Sequence, residues 1–389
     1  MILVCEMIFD RGAHVPFNAG FLATIRSAFP REDLAFYGAA AHLEQLKKQV
    51  GQALAGSILW NEILPIPPGP RYGERFFREL KLIQYLLAKL SQCSTSRMIL
   101  TSASPSTVLA MKVARLFRSN SPMVQMVLHG LSGVSGKRRR HPLYKFQDMN
   151  TAMNLLGNSG IQYLVLEEAI RDRVVGSLPW LAGNIESLEH PISPNEGTNE
   201  ILDLDEPIRF GFLGTALKSK GYPLFVKAAN AITAKYGRRA EFHVIGRGPE
   251  ESKYVTGTEA LATQPAAAPL SREDFIRGVA PLHFIVLPYE PGRYSLAASG
   301  VLLDAIAWLK PVIARKIPML EAIFERYGDI GYLFGDDSEL TAVVERVVQA
   351  ADNSRYRRQA LTLRDVRKSR DPETLATVYR ELCRLSKGK

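Results

Sequence analysis

The sequence predicts an α/β protein with two tandem domains, each a parallel sheet covered by helices on both faces. Three observations lead to this prediction: short continuous apolar runs, stretches of helical period between them, and the length of the chain. Parallel strands buried on both faces have near-continuous apolar sequences. A chain of 389 residues fits two domains better than one, since each is then large enough to bury its own core.

Short apolar runs recur along the chain and predict the buried strands. They are Ile2–Cys5, Met98–Leu100, Val124–Leu128, Tyr163–Leu166, Phe210–Leu213, Phe242–Ile245 and Phe284–Leu287. Amphipathic stretches separate most of them, for example Phe76, Leu80, Ile83 and Leu87 at helical spacing. Strand and helix therefore alternate almost throughout, which favours two Rossmann-like domains that face each other across a cleft.

An irregular stretch divides the chain. Glu186–Pro207 holds three prolines, a glycine and many acids without a sustained apolar period, and Ile208 begins a fresh strand-turn-helix series. We predict a first Rossmann-like domain over 1–190, a linker over 191–207 and a second Rossmann-like domain over 208–370. The remaining segment, 371–389, is expected to form a C-terminal helix.

The composition excludes several classes of protein. Forty-nine Lys and Arg against 39 Asp and Glu give a net charge of +10, and 46% of residues are hydrophobic, which excludes an intrinsically disordered chain. Three scattered cysteines, Cys5, Cys93 and Cys383, are too few for a disulfide framework or a metal knuckle. We find no export signal and no membrane span, and expect a cytoplasmic protein whose positive charge favours phosphate-bearing partners.

Ligands of open parallel sheets bind beyond the carboxyl ends of the strands, so the residues that follow the apolar runs are the first candidates for a binding site. After Phe210–Leu213 the chain continues through Gly214 and Thr215 to Lys218 and Lys220. A lysine in this loop can hold a phosphate, and the alternative is a solvated loop. After Phe242–Ile245 follows Gly-Arg-Gly, in which Arg247 points either into the cleft or into water.

A third candidate site follows Phe284–Leu287. Small residues at Ser299 and Gly300 begin an apolar helix, and exposed N–H groups at such a start can bind a diphosphate. Asp304 lies about one turn later, and its side chain leans back toward the helix start. It can accept two hydrogen bonds from a vicinal diol such as a ribose, or simply favour the helix dipole.

The first domain offers two further candidates. His129 follows Val124–Leu128 and either hydrogen-bonds a substrate hydroxyl or ties the strand end to a loop. The cationic run Lys137, Arg138, Arg139 and Arg140 comes next, and is either a solvated loop or a contact for membrane phospholipid or a phosphate-bearing acceptor. Nucleic acid is not expected, because no aromatic residues interleave with these cations.

These motifs resemble the retaining, nucleotide-sugar-dependent glycosyltransferases of GT-B fold, especially family 4. Gly214 through Lys220 is similar to the family loop whose basic pair holds the donor diphosphate, with Thr215 where arginine is usual. Asp304-Ala-Ile-Ala followed by Lys-Pro-Val-Ile is similar to the family's acidic motif, and Asp304 takes the place of the ribose-binding glutamate. Leu296 stands where the family often has a second glutamate, and a loop can bring Glu290 close instead.

The resemblance implies transfer of a sugar from a UDP- or GDP-sugar to an acceptor hydroxyl, with retention at the anomeric carbon. It implies catalytic roles for His129 and Lys220, no cofactor and no metal. It also implies that the N-terminal domain, 1–190, binds the acceptor, that the C-terminal domain, 208–370, binds the nucleotide-sugar, and that the helix over 371–389 packs back on the N-terminal domain. A saccharide or lipid-linked acceptor in polysaccharide or glycolipid assembly would place the protein peripherally on the inner face of a membrane. The alternative is a non-catalytic two-domain protein that binds a nucleotide or a phosphorylated sugar.

Overall fold

In a computed structural model of the chain, the described residues are 1–66, 69, 71–91, 97–116, 118, 122–131, 147–157, 160–291, 294 and 296–385. The chain divides into two compact units, each with its own parallel sheet. Unit 1 comprises Met1–Asn195, Leu296–Ala298 and Arg370–Lys389, and unit 2 comprises Glu196–Ser295 and Ser299–Ser369.

Unit 1 contains a seven-stranded parallel sheet of order β3-β2-β1-β4-β5-β6-β7. Its strands are β1 (Ile2–Cys5), β2 (Leu34–Gly38), β3 (Ile58–Glu62), β4 (Arg97–Leu100), β5 (Met123–Leu128), β6 (Ile161–Val165) and β7 (Ile185–Ser187). Its helices are α1 (Val15–Ala28), α2 (Ala40–Val50), α3 (Gln52–Ala55), α4 (Tyr72–Leu90), α5 (Pro105–Leu116), α6 (Met149–Asn154), α7 (Glu168–Ser177) and α14 (Pro372–Leu385).

The C-terminal helix α14 packs within unit 1 against α1. The Tyr379 ring lies 5.3 Å from that of Phe21, and the Tyr379 hydroxyl donates a 2.7 Å hydrogen bond to Gln125 of β5. Both aromatic rings are buried in the same apolar core as Val4 and Phe36. The last helix therefore completes the core of the unit that contains the first strand.

Unit 2 contains a five-stranded parallel sheet of order β12-β11-β10-β8-β9. Its strands are β8 (Ile208–Leu213), β9 (Ala240–Ile245), β10 (Phe284–Leu287), β11 (Val312–Arg315) and β12 (Gly331–Phe334). Its helices are α8 (Tyr222–Tyr236), α9 (Arg272–Val279), α10 (Gly300–Ala307), α11 (Pro318–Tyr327), α12 (Asp337–Ala350) and α13 (Asn353–Ser369). Phe210 of β8 stacks on Phe242 of β9 and on Phe284 of β10, the two neighbouring strands.

All seven predicted apolar runs coincide with strands, although Tyr163–Leu166 extends one residue past β6, and five strands of the described part of the chain were not predicted. Three of these five, β3, β7 and β12, are sheet edges. These three strands are partly exposed and therefore carry a weaker apolar signal, whereas the other two, β2 and β11, are fully buried. The stretch expected to be irregular begins inside β7, which ends at Ser187. Among the described residues, no helix is long and apolar enough to cross a bilayer.

Candidate functional site

The loop after β8 brings a lysine back over the strand end. Gly214 has φ 84°, a conformation that favours glycine, and its N–H donates to Ile245 O at 2.9 Å. A Cβ built on Gly214 would lie 2.9 Å from Lys220 Nζ, so the ammonium group lies directly against this backbone. Lys220 is therefore positioned at the carboxyl edge of the unit 2 sheet, where parallel sheets bind ligands.

Two glycines let the loops at this edge approach one another. A Cβ on Gly221 would lie 1.8 Å from Pro288 O, and a Cβ on Gly246 would lie 1.9 Å from Gly214 O. Both glycines have positive φ. Gly246 approaches the backbone of the β8 loop, which packs the ends of β8 and β9 together.

Helix α10 begins at the same edge. Ser299 caps it: its hydroxyl oxygen accepts from Leu302 N at 3.1 Å and shares a 2.7 Å hydrogen bond with the buried hydroxyl of Tyr289. Gly300 is exposed, and a Cβ there would meet no atom within 4 Å. The helix therefore begins beside open space, although the Ser299 hydroxyl itself is engaged in the cap.

Asp304 is the most perturbed acid of this site. Burial raises its pKa to about 7, against the opposing attraction of Arg272 and, further away, of Lys220. Arg272 NH2 lies 3.4 Å from Asp304 Oδ1 and also contacts Glu196, whose side chain is 8% exposed. One guanidinium is thus shared between two carboxylates, and the nearby Glu196 charge further raises the Asp304 pKa.

Sequence reasoning missed Arg272 and Glu196. Ser271 caps α9 by accepting from Asp274 N at 3.1 Å, so Arg272 is the first residue of that helix. The Ser-Arg-Glu-Asp sequence predicts such a helix start, but it does not show that the arginine contacts Asp304, 32 residues later. Glu196 lies in the stretch expected to link the domains.

The other residues predicted for the donor site are more exposed, or contribute backbone atoms instead of side chains. Lys218 and Arg247 have exposed side chains, and Thr215 is half-buried. Arg247 contributes its backbone carbonyl, which accepts from Ala216 N at 2.9 Å. Glu290 is exposed at its loop, and its N–H donates to the Ser219 carbonyl at 3.2 Å. By contrast, the Lys220 ammonium lies against Gly214 and is near enough to Asp304 to lower the pKa of that carboxyl.

In unit 1, His129 lies at the end of β5 within a cluster of rings. Its Nε2 is 2.8 Å from Thr101 O, and since a carbonyl only accepts, Nε2 carries the proton. The rings of His14 and Phe17 lie 3.9 Å and 4.5 Å away. Burial, then the neighbouring His14 and His190, hold the His129 pKa well below its usual range. The ring is therefore neutral, and its Nδ1 is a hydrogen-bond acceptor.

A buried acid beneath this cluster was not predicted. Glu6, just after β1, is 0% exposed and accepts hydrogen bonds from Ile8 N at 3.0 Å and from the hydroxyls of Thr101 and Ser102. His14 Nδ1 lies 3.4 Å from Glu6 Oε2. Burial alone would raise the Glu6 pKa, but the contacts with His14 and these donors lower it. An acid directly after an apolar strand was the available sequence signal.

Two expectations from the sequence, the role of the basic run and the absence of a metal requirement, are not tested by the described residues. Lys137, Arg138, Arg139 and Arg140 lie outside the described residues. Among the residues that are described, no group of three or more His, Cys, Asp or Glu side chains is arranged to hold a metal ion. The absence of a metal requirement and the role of the basic run both stay predictions.

Comparison with known families and folds agrees with this architecture. Residues 207–353 match the family model described as glycosyl transferases group 1. This match covers unit 2 from β8 to the start of α13, and so includes Gly214, Lys220 and Asp304. No curated protein sequence matches the chain.

Several solved structures share the fold over the whole chain. A structure described as trehalose-6-phosphate from E. coli bound with UDP-2-fluoro glucose has a TM-score of 0.67 at 11% identity, covering 99% of both chains. A glycosyltransferase from Rickettsia africae has a TM-score of 0.65 at 13% identity, covering 100% of this chain and 97% of the other. HepE of Anabaena in complex with UDP has a TM-score of 0.64 at 12% identity, covering 98% of each. The chain therefore has the GT-B fold, and its residues 207–353 match the model of the glycosyl transferases group 1 family.

Proposed function

We propose that this protein transfers a sugar from a nucleotide diphosphate sugar to an acceptor hydroxyl, with retention at the anomeric carbon. The observation that carries the proposal is that a cation, Lys220, and a buried acid, Asp304, both lie at the carboxyl edge of the unit 2 sheet, beside the start of α10. A cation and helix N–H groups suit a diphosphate, and a carboxylate suits the two hydroxyls of a ribose. Together they match the two polar parts of a nucleoside diphosphate.

The proposed chemistry breaks the bond between the anomeric carbon and the diphosphate oxygen, and forms a bond from that carbon to the acceptor oxygen on the same face. Lys220 and the N–H groups at Gly300 stabilise the negative charge that develops on the leaving diphosphate. The acceptor proton passes to an oxygen of the leaving phosphate, so no side chain is assigned as general base. No metal or cofactor takes part in this scheme.

His129 has a different proposed role from the residues of unit 2. Its Nε2 is occupied by Thr101 O, so only Nδ1 is available, and a neutral Nδ1 accepts a hydrogen bond from a hydroxyl. Such a group orients a sugar or an acceptor hydroxyl without supplying positive charge. Lys218 and Arg247 have exposed side chains and are proposed as secondary contacts to the diphosphate.

The donor base is proposed to be uracil or guanine. Two similar folds were solved with UDP-2-fluoro glucose and with UDP, which favours testing uridine donors first. We would incubate the purified protein with a panel of UDP- and GDP-sugars, with and without saccharide acceptors, and measure nucleotide release. Acceptor-dependent release supports transfer, whereas saturable binding without release supports the alternative, a binding protein without turnover.

We further propose a lipid-linked or membrane-associated acceptor in polysaccharide or glycolipid assembly, with the protein cytoplasmic and peripheral on the inner membrane face. The basic run Lys137–Arg140 motivates this proposal. Helix α4 supports it, because Phe77 and Tyr85 are 68% and 50% exposed beside the exposed cations Lys81 and Lys89. Aromatic rings with flanking cations are typical of helices that lie at a lipid surface.

Co-sedimentation with anionic and neutral liposomes tests this membrane proposal. Binding should favour anionic vesicles and weaken when Lys137, Arg138, Arg139 and Arg140 are neutralised together. Equal binding to both kinds of vesicle, or binding that survives the neutralisation, would refute the role given to this run.

A further inference from the structure

Arg272 and Glu196 form a charged cluster with Asp304 that the proposed reaction does not use. Arg272 Nη2 lies 3.4 Å from Asp304 Oδ1 and also contacts Glu196 Oε1. The Asp304 side chain is 21% exposed and that of Glu196 is 8% exposed. Charges that are shielded from water in this way interact more strongly than charges at an open surface. Two acids therefore compete for one guanidinium group.

The Arg272 side chain is held at its backbone and at its charged end. Arg272 is the first residue of α9, whose start is capped by the Ser271 hydroxyl. Its guanidinium carbon lies 4.9 Å from the centre of the Phe275 ring, three residues later on the same helix. A cation over an aromatic ring is attracted to the face of that ring. This packing keeps the guanidinium group beside the two acids.

Glu196 is held against the helix that carries Asp304. The next residue, Gly197, has φ 103°, and a Cβ there would lie 2.2 Å from the carbonyl oxygen of Ala307, the last residue of α10. Thr198 N donates to the same oxygen at 3.2 Å. Asp304 precedes Ala307 by less than one helical turn. The segment that contains Glu196 is therefore packed onto α10 close to Asp304.

The charges around Asp304 act on it in opposite directions. Burial raises the Asp304 pKa most; Arg272 lowers the pKa, Glu196 raises it, and Lys220, from the loop after β8, lowers it to a smaller extent. The hydroxyl of Tyr289, after β10, also faces Asp304, but burial raises the pKa of that hydroxyl above its usual range, so it stays uncharged. The ionisation of Asp304 is thus decided mainly by burial, Arg272 and Glu196.

We propose that Arg272 and Glu196 are positioning residues of the nucleotide site, and that they control through Asp304 how strongly a ribose is held. Arg272 favours the charged carboxylate, which accepts the hydrogen bonds of ribose hydroxyls. Glu196 favours the protonated form, which has less acceptor capacity. The inference rests on the proposed function, because it assigns the ribose to Asp304. It adds that the ribose contact depends on pH and that these two residues set the dependence.

The test compares the affinities of UDP and 2′-deoxy-UDP by calorimetric titration between about pH 5.5 and about pH 8.5. GDP and 2′-deoxy-GDP take their place if only guanosine nucleotides bind. The phosphates of the two nucleotides titrate alike, so the ratio of the two affinities reports the ribose contact. In the wild type the ratio should rise as the pH passes about 7 and Asp304 ionises. It should reach about tenfold, the value of one hydrogen bond to a charged group.

Arg272→Gln and Glu196→Gln should move this pH dependence in opposite directions. Loss of the cation should raise the midpoint by about one pH unit or more, and loss of the second carboxylate should lower it by about half a unit. Arg272→Lys keeps the charge and should restore much of the wild-type profile. Arg277→Gln, 77% exposed on the same helix, and Glu200→Gln, exposed in the same segment as Glu196, are the matched controls and should leave the profile unchanged.

Opposite shifts distinguish this role from a structural one, because breaking a structural cluster would weaken binding in both variants. If Arg272→Gln does not fold, the shift in Glu196→Gln alone decides the matter. The inference is overturned if the wild-type ratio does not change with pH, or if Glu196→Gln fails to lower the midpoint. UDP or GDP binding that persists with such a result leaves the proposed function intact, whereas absence of nucleotide binding by the wild type overturns both.

Discussion

Asp304→Asn should stabilise the protein and weaken nucleotide binding at the same time. The native pKa of Asp304 is raised to about 7, above the value of 3.8 expected for an unfolded chain. An acid whose pKa is higher in the native state than in the unfolded chain stabilises the native state only while it is protonated. The wild type therefore loses stability as the pH rises from about 4 to about 7. Asparagine carries no charge at any of these pH values and avoids that loss.

The size of the effect comes from the shift in pKa. About three units at 1.36 kcal/mol each give about 4 kcal/mol when the carboxylate is fully ionised. The Asp304 side chain is 21% exposed, and water that reaches it reduces the free-energy cost of ionising the buried carboxyl. We therefore expect Asp304→Asn to raise the free energy of unfolding by about 2–4 kcal/mol near pH 8. Nucleotide affinity should fall by about 1–3 kcal/mol, because asparagine has half the acceptor capacity for ribose hydroxyls.

Urea unfolding of wild type and variant across this pH range measures the stability difference. The midpoint difference should grow between about pH 4.5 and pH 7 and then stay constant. Asp365→Asn is the control, since its carboxyl is 79% exposed and lies 3.7 Å from Lys368 at the surface of the same unit. Calorimetric titration of UDP and GDP into the same proteins measures affinity.

Two results would refute this interpretation of Asp304. A midpoint difference that does not change with pH would show that the acid is not held partly uncharged in the native state. Unchanged nucleotide affinity in Asp304→Asn, at a pH where the wild type is ionised, would remove the ribose contact from the proposal.

Three further predictions concern other residues. Lys220→Ala should lower turnover more than UDP affinity, because the contact of the lysine with the diphosphate strengthens as the diphosphate gains charge. Lys218→Ala should lower turnover less, and equal losses of turnover in the two variants would contradict the role of Lys220. Gly221→Ala should lower the urea midpoint far more than Gly237→Ala, since both have positive φ but only the first Cβ would meet a backbone oxygen, at 1.8 Å. His129→Ala should lower transfer while leaving the affinity for free nucleotide intact, and a matching loss of UDP binding by calorimetry would refute its proposed role.

Much of the fold could be predicted because parallel strands carry a local signal. Ile2–Cys5 and Phe284–Leu287 are continuous apolar runs, and the structure has β1 and β10 at those bounds. The same rule led to Lys220 and Asp304, because residues that follow parallel strands share one edge of a sheet. Edge strands such as β7 were missed, since their sequences are short and partly polar.

The partners of the candidate residues could not be predicted in the same way. Arg272 lies 32 residues before Asp304 and reaches it only because α9 and α10 are brought together in unit 2. Glu6 and Ser102 are almost one hundred residues apart, and they meet because β1 and β4 are neighbours in the sheet. Contacts of this kind depend on the order of strands in space, which no local pattern records.

The sequence by itself therefore determined the α/β class, most central strands and the loops where chemistry was expected, because apolar periodicity and strand-end position are local properties. Only the tertiary structure decided the electrostatic state of Asp304 and the neutral Nε2–H form of His129. Each of these depends on burial and on which atoms of distant segments lie within a few ångströms. The physical reason is that desolvation and hydrogen bonding are set by surroundings in space and not by neighbours along the chain.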